Sequence, residues 1–249
     1  MSKGIGFSDL DADLAEIAQR YRKAGGLGMQ VLNLLGGQAE NLLDRLPEPV
    51  RARLGEATEK ALEAAVRTAE KSRGIVPDQA SWLNTAAATA MGAAGGMGGL
   101  PSALAELPVT TTVLFRAIQG IAAEYGYDPA DPQIQAECLH VFSSAGPLAH
   151  DDGADTGFLS ARVTLTGGAL QGIISRIAPR LSAAMGQKLA AQTVPVLGAI
   201  AGAATNFAYT SYYQEMAHVH FALKRAAEAH DVPRATLIAQ LAGEMKRKG

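Results

Sequence analysis

Two long stretches of this 249-residue chain, Trp82 to Ala105 and Leu189 to Gln214, contain no Asp, Glu, Lys or Arg, and they constrain the fold more than any other feature. Each is long enough to cross about 30 Å of hydrocarbon. Yet each is rich in Ala, Gly, Thr, Asn, Gln and Pro rather than Leu and Ile, which makes insertion into lipid weak. Within "TAAATAMGAAGGMGGLPSALAELPVTTTVLFR" (85–116), Gly92, Gly95, Gly96 and Gly99 fall at three- and four-residue spacing. A helix there presents a smooth groove that a neighbouring backbone can approach closely. Gly198, Ala199, Gly202 and Ala203 offer the same surface in the second stretch. The expectation is a matched pair of close-packed helices in a protein core, with membrane insertion as the competing reading.

The first stretch is not a phosphate loop. A Walker-type loop needs a lysine after its last glycine, and no Lys or Arg occurs between Arg73 and Arg116. The dinucleotide fingerprint fails too, because Gly96 and Gly98 are followed by Pro101 where the third glycine belongs.

The remainder of the chain predicts helices. Aromatic residues are 5% of the sequence and alternating patterns are short, so strands have little support. Ser8, with Asp9, Asp11 and Asp13 behind it, opens a helix to about Lys23. Leu27, Val31, Leu34, Leu35, Leu42 and Leu46 then form an apolar stripe on a second helix from Gly26 to Leu46. Pro49 starts a charged amphipathic helix that ends at Gly74, and Asp131-Pro132 is an N-cap with proline at the first helical position. Further helices are expected at 158–178, 179–193, 194–229 with a bend, and 233–247. The composition changes sharply after Pro77, which divides the chain into an N-terminal helical arm (1–76) and a helical body (77–249).

A net charge of −2 and a pI near 6.2 exclude an electrostatic case for nucleic acid. One cysteine, Cys138, rules out an intrachain disulfide. The acidic start, "MSKGIGFSDLDADLAEIAQR", argues against a secretory signal, so a cytoplasmic protein peripheral to the inner membrane is expected.

"GGMGGLPSALAELPVTTTVLFRAIQGIAAEYGYDPADPQIQAECLHVF" and "QKLAAQTVPVLGAIAGAATNFAYTSYYQEMAHVHF" together resemble the EcsC family of bacterial proteins, over about Leu54 to Arg225. The family is named after the third product of an ABC-transporter operon whose loss affects protein secretion. The resemblance implies an α-helical, membrane-proximal protein and supplies no catalytic residues. It marks Glu106, Arg116, Gly126, Asp128 and Asn206 as the positions where the pattern is most characteristic.

Two constellations invite a chemical reading. Glu137 with His140, and Glu215 with His218, each form E-x-x-H, the spacing with which helical bundles hold two irons or manganeses when further carboxylates join. Glu106 and Glu124 are the available extra carboxylates. The plainer reading of each pair is an i,i+3 contact on a partly exposed helix. His218 and His220 are two apart, hence on different faces and a poor chelate. Arg116 stands in an apolar region and calls for a carboxylate partner, with Glu106, Asp128 and Glu124 as candidates. The leading expectation is a non-enzymatic peripheral membrane protein without a cofactor. It would bind lipid or a membrane partner such as an ABC transporter, with Leu27, Val31, Leu34 and Leu35 facing the membrane. The alternatives are a dinuclear metalloenzyme using iron, manganese or zinc on Glu106, Glu137, His140, Glu215 and His218, and a carrier of a small apolar ligand.

Overall fold

In a computed structural model, residues 9–34, 42–72, 105–144, 146–147, 156–160, 169–192 and 198–247 are described. Helices dominate them, and no strand occurs among them. The chain is an all-α, multi-helix protein. The helices are α1 (Leu10–Leu34), a 3-10 turn η1 (Leu42–Arg45), α2 (Glu48–Ser72), α3 (Leu107–Glu124), α4 (Pro132–Val141), α5 (Thr156–Ser160), α6 (Ala169–Gln192), α7 (Gly198–His230) and α8 (Arg234–Arg247).

Local signals explain several boundaries. Asp131 is extended and its carboxylate accepts from the backbone N–H of Gln133 (2.6 Å) and Ile134 (3.4 Å), as the Asp-Pro pair predicts. Elsewhere tertiary packing overrides local preference. The expected break between two N-terminal helices is not there: α1 runs through Gly25 and Gly26, since Leu14, Ile17, Ala18, Tyr21, Ala24 and Leu27 together make one buried stripe along α7. Likewise Pro179 does not open a helix but lies inside α6, between the buried Ile177, Ala178 and Leu181.

The two N-terminal helices are not set apart from the body. α1 packs on α7 and α8, α2 packs on α3 and α6, and their apolar residues belong to the same core as Phe115, Phe142, Phe158 and Tyr213. The expected division at residue 76 itself lies outside the described residues. So do Leu35 and the glycine run Gly92 to Gly99, while Gly198 to Ala203 opens α7.

Side-chain contacts fix the helix directions. Tyr125 at the end of α3 meets His218, and Tyr127 meets Phe221, so α3 and α7 run parallel. The Tyr209 hydroxyl donates to the carbonyl of Ala184 at 2.8 Å, one turn before Lys188, and Gly186 abuts Leu43, Leu46 and Leu54. The C-terminal end of α6 therefore lies beside η1 and the start of α2. α1 is antiparallel to α7, with Asp13 bonded to His230 and Arg20 and Lys23 bonded to Glu215. One end of the bundle thus gathers the beginnings of α2, α3 and α7, the end of α6 and the last turns of α1.

Candidate functional site

The two E-x-x-H pairs face different neighbours and do not meet. Glu137, buried on α4, accepts from His220 Nε2 and from Lys224 Nζ, both at 3.0 Å and both on α7. Behind His220, Arg234 Nη2 donates to Nδ1 at 3.0 Å. A carboxylate only accepts and a guanidinium only donates, so the imidazole carries its proton on Nε2 and is neutral. Burial is the main influence on this histidine and pushes its pKa down to about 3. For Glu137 burial works the other way, but the hydrogen bonds of His220 and Lys224, together with the charge of Lys224, outweigh it and hold the carboxyl at about 2. The four side chains form a chain of donors and acceptors that ties α4, α7 and the first residue of α8 together.

His140, the second member of that motif, is buried rather than partly exposed. Its Nε2 donates to the Phe158 carbonyl at 3.0 Å, and the Ser143 hydroxyl lies 3.1 Å from Nδ1. Glu215 is taken by α1, through Lys23 Nζ at 2.6 Å and Arg20 Nη1 at 3.2 Å. His218 pairs with the Tyr125 hydroxyl at 3.3 Å and is held down to about 4, chiefly by burial. His218 and His220 do point to different sides of α7, as their spacing requires. Among the described residues no group of three or more His, Cys, Asp or Glu is arranged to hold a metal ion. The four side chains of the alternative dinuclear reading are engaged separately: Glu215 by Arg20 and Lys23 of α1, His218 by Tyr125, Glu137 by His220 and Lys224, and His140 by Phe158 and Ser143.

Of the positions marked by the family resemblance, Asp128 and Gly126 serve a turn. Asp128 Oδ1 accepts from the N–H of Ala130 at 2.8 Å, and Gly126 has φ +86°, a backbone conformation that side chains with a Cβ avoid. Arg116 is half-buried on α3, and Asn206 is buried in the third turn of α7. Glu124 is exposed.

Glu106 has a different setting. It stands at the N-cap of α3 without making a side-chain cap, and its Oε2 is buried with no hydrogen-bond partner. The charge that acts on it is Lys188 of α6, whose side chain is 1% exposed. Burial raises the carboxyl of Glu106 and lowers the ammonium of Lys188 to about 8, and in each case the partner's charge resists the change. One turn along α3, Thr110 Oγ1 is also buried with no hydrogen-bond partner. Lys188 and Thr110 are absent from the residues singled out by sequence reasoning. A signal existed: Glu106 is the only charge between residues 79 and 115, and Lys188 the only one between 181 and 214. Two lone charges of opposite sign in two charge-poor stretches are natural partners.

This pair lies at the end of the bundle where α3 and α7 begin. Among the described residues, the two large apolar side chains that stand out to solvent, Val109 (51% exposed) and Phe207 (44%), belong to the first turn of α3 and the third turn of α7. Leu27, expected to face a membrane, is 7% exposed and part of the core, so that expectation is corrected for this residue. Val31 and Leu34 lie in the last turns of α1, and their side chains are outside the described ones.

The model of the EcsC protein family matches residues 11–225. The chain belongs to the EcsC family. The match extends N-terminally past Leu54 into α1, in keeping with the packing of α1 against α7. No curated protein and no solved structure matches the chain. Among the described residues no helix of this EcsC-family protein is long and apolar enough to cross a membrane.

Proposed function

We propose that this protein is a peripheral membrane-associated binding protein, without catalytic function, that attaches to lipid through the end of the bundle where α2, α3 and α7 begin. The observation that carries this reading is the position of Val109 and Phe207. An exposed valine or phenylalanine alone means little. Here both lie at one end, in stretches that carry a single charge each, and the last turns of α1 with Val31 and Leu34 run toward the same end.

The rim of that end has the polarity of an interfacial protein. η1 and the start of α2 supply Arg45, Arg51 and Arg53, together with Asp44 and Glu48, all exposed. Arginines beside apolar side chains suit the boundary between headgroups and acyl chains. The cytoplasmic face of a bacterial inner membrane is the setting that fits this reading, and a membrane-embedded partner such as an ABC transporter is the other occupant it admits. Flotation with vesicles tests it. The wild-type protein is expected to rise with the vesicles, and Val109→Asp/Phe207→Asp to stay in the dense fraction. Equal flotation of both proteins, or none of the wild type, would overturn the assignment.

A further inference from the structure

A protein that rests on a bilayer is held there in one of two ways. A basic face is drawn to anionic headgroups, whereas a face without surplus charge depends on how far its apolar side chains reach between the headgroups. The charges at the end of the bundle that holds Val109 and Phe207 decide between the two. Around it they are matched within the protein: Arg51 donates to Asp44 at 2.9 Å and also to Glu48. Lys60 donates to Glu56 at 2.6 Å, and that bond, with Arg53 adding its charge, holds the Glu56 carboxyl below the usual carboxylate range. Residues 27–60, 79–115 and 181–214, the stretches that run through or lead into this end, carry five basic side chains against six acidic ones. One of the five, Lys188, is itself buried.

The apolar side chains are placed differently. Tyr125 of α3 and His218 of α7 are in ring contact, and the two helices run parallel. At about 1.5 Å per residue, Val109 lies about 24 Å back along α3 from that contact and Phe207 about 17 Å back along α7. They therefore stand at one end, within about 7 Å of each other in height along the bundle. Ala105 and Pro108 beside Val109 are exposed too, and Ala203 and Ala204 before Phe207 are partly so.

We infer that this end of the bundle recognises loosely packed lipid rather than charged lipid: Val109 and Phe207 enter gaps between headgroups, and binding rises with membrane curvature. The inference deepens the membrane reading and rests on it, naming the kind of bilayer surface that the protein selects. In a flat, well-packed bilayer the headgroups cover the acyl chains, and two side chains on a helical bundle gain little by lying among them. Strong curvature spreads the headgroups and uncovers hydrocarbon, and so does a small headgroup such as that of phosphatidylethanolamine. With its own charges matched, the protein has no surplus of Lys or Arg to draw it to an anionic surface.

Flotation at equal lipid concentration tests this with small and large vesicles of phosphatidylcholine, with and without phosphatidylglycerol, at low and at high salt. Wild type is expected to bind small vesicles about tenfold more tightly than large ones, the worth of one apolar side chain newly reaching hydrocarbon. Phosphatidylglycerol and salt are expected to change its binding by less than about twofold. Phe207→Ser should abolish the preference for small vesicles, and Arg53→Gln should leave it intact. Circular dichroism establishes which variants are folded, and Val109→Ser carries the test if Phe207→Ser is not. Equal wild-type binding to small and large vesicles would overturn the inference and leave the membrane reading standing. So would binding that needs phosphatidylglycerol and is lost at high salt. A wild type that floats with none of these vesicles would overturn both.

Discussion

Replacing Glu137 by Gln probes the most densely connected polar cluster of the protein. The carboxylate accepts two hydrogen bonds at 3.0 Å, from His220 and Lys224, and Arg234 stands behind His220. An amide of the same shape can accept one of those bonds but turns an NH2 group toward the other donor. Removing one partner of a buried pair costs about 3–5 kcal/mol. Lys224 is 24% exposed and Glu228 lies 3.9 Å away, so its charge can relax, which places the cost near the lower end. The pKa gives a second route: moving the carboxyl from 4.5 to about 2 corresponds to about 3 kcal/mol of preference for the ionised form in the fold. Urea unfolding at pH 7 should therefore show a loss of about 3 kcal/mol, a midpoint shift on the order of 1 M. The pH dependence has a definite sign. A depressed carboxyl contributes stability that is complete above pH 4.5 and lost as pH falls through about 2. His220, ordinarily near 6.5 and held at about 3, acts in the same direction, because the unfolded chain takes up its proton first; stability falls from pH 6.5 downward. Wild type should lose stability on acidification from 6.5 and more steeply below 4.5, and Glu137→Gln should lack the second component. A variant within about 0.5 kcal/mol of wild type at pH 7, inside the range of an ordinary surface change, would refute this account of the cluster.

Five further substitutions test the packing. Gly25→Ala and Gly26→Ala should each stabilise the protein by about 1 kcal/mol, since both sit within α1 with open space where a Cβ would go; destabilisation in thermal melts would mean that α1 breaks there. Gly126→Ala, also with open space but with φ +86°, should instead cost about 1 kcal/mol. Leu27→Asp should destabilise by more than about 3 kcal/mol, read in urea, because it places a charge in the core between α1 and α7. Glu215→Ala should cost about 1 kcal/mol, because its partners Arg20 and Lys23 are 30% and 65% exposed, and elemental analysis should show the metal content unchanged.

The all-α class, the start of α4 and the start of α8 are legible in the sequence because each rests on a local rule: absent alternation, an Asp-Pro cap, a proline before a periodic run. Where reading fails, a nonlocal contact has overruled such a rule. Gly25-Gly26 and Pro179 signal breaks, and the burial of Tyr21, Leu27, Ile177 and Leu181 keeps the helices continuous through them. The E-x-x-H spacing tells which residues share a face, but not what lies opposite. Glu137 meets His220, 83 positions away, and Glu215 meets Lys23, 192 positions away. The apolar stripe around Leu27 is real, but amphipathicity cannot distinguish a face turned to α7 from one turned to lipid. Lys188 escapes notice because a single lysine carries no periodicity; only its isolation in a charge-poor stretch betrays it.

The account stands most directly on which surface meets the membrane, and amide hydrogen exchange with and without vesicles containing phosphatidylethanolamine measures that. Protection is expected to rise in peptides covering residues 105–112 and 203–210 and to stay unchanged in the exposed face of α2 and in α8. Protection confined to α2 or α8, or a pattern unaffected by vesicles, would contradict it.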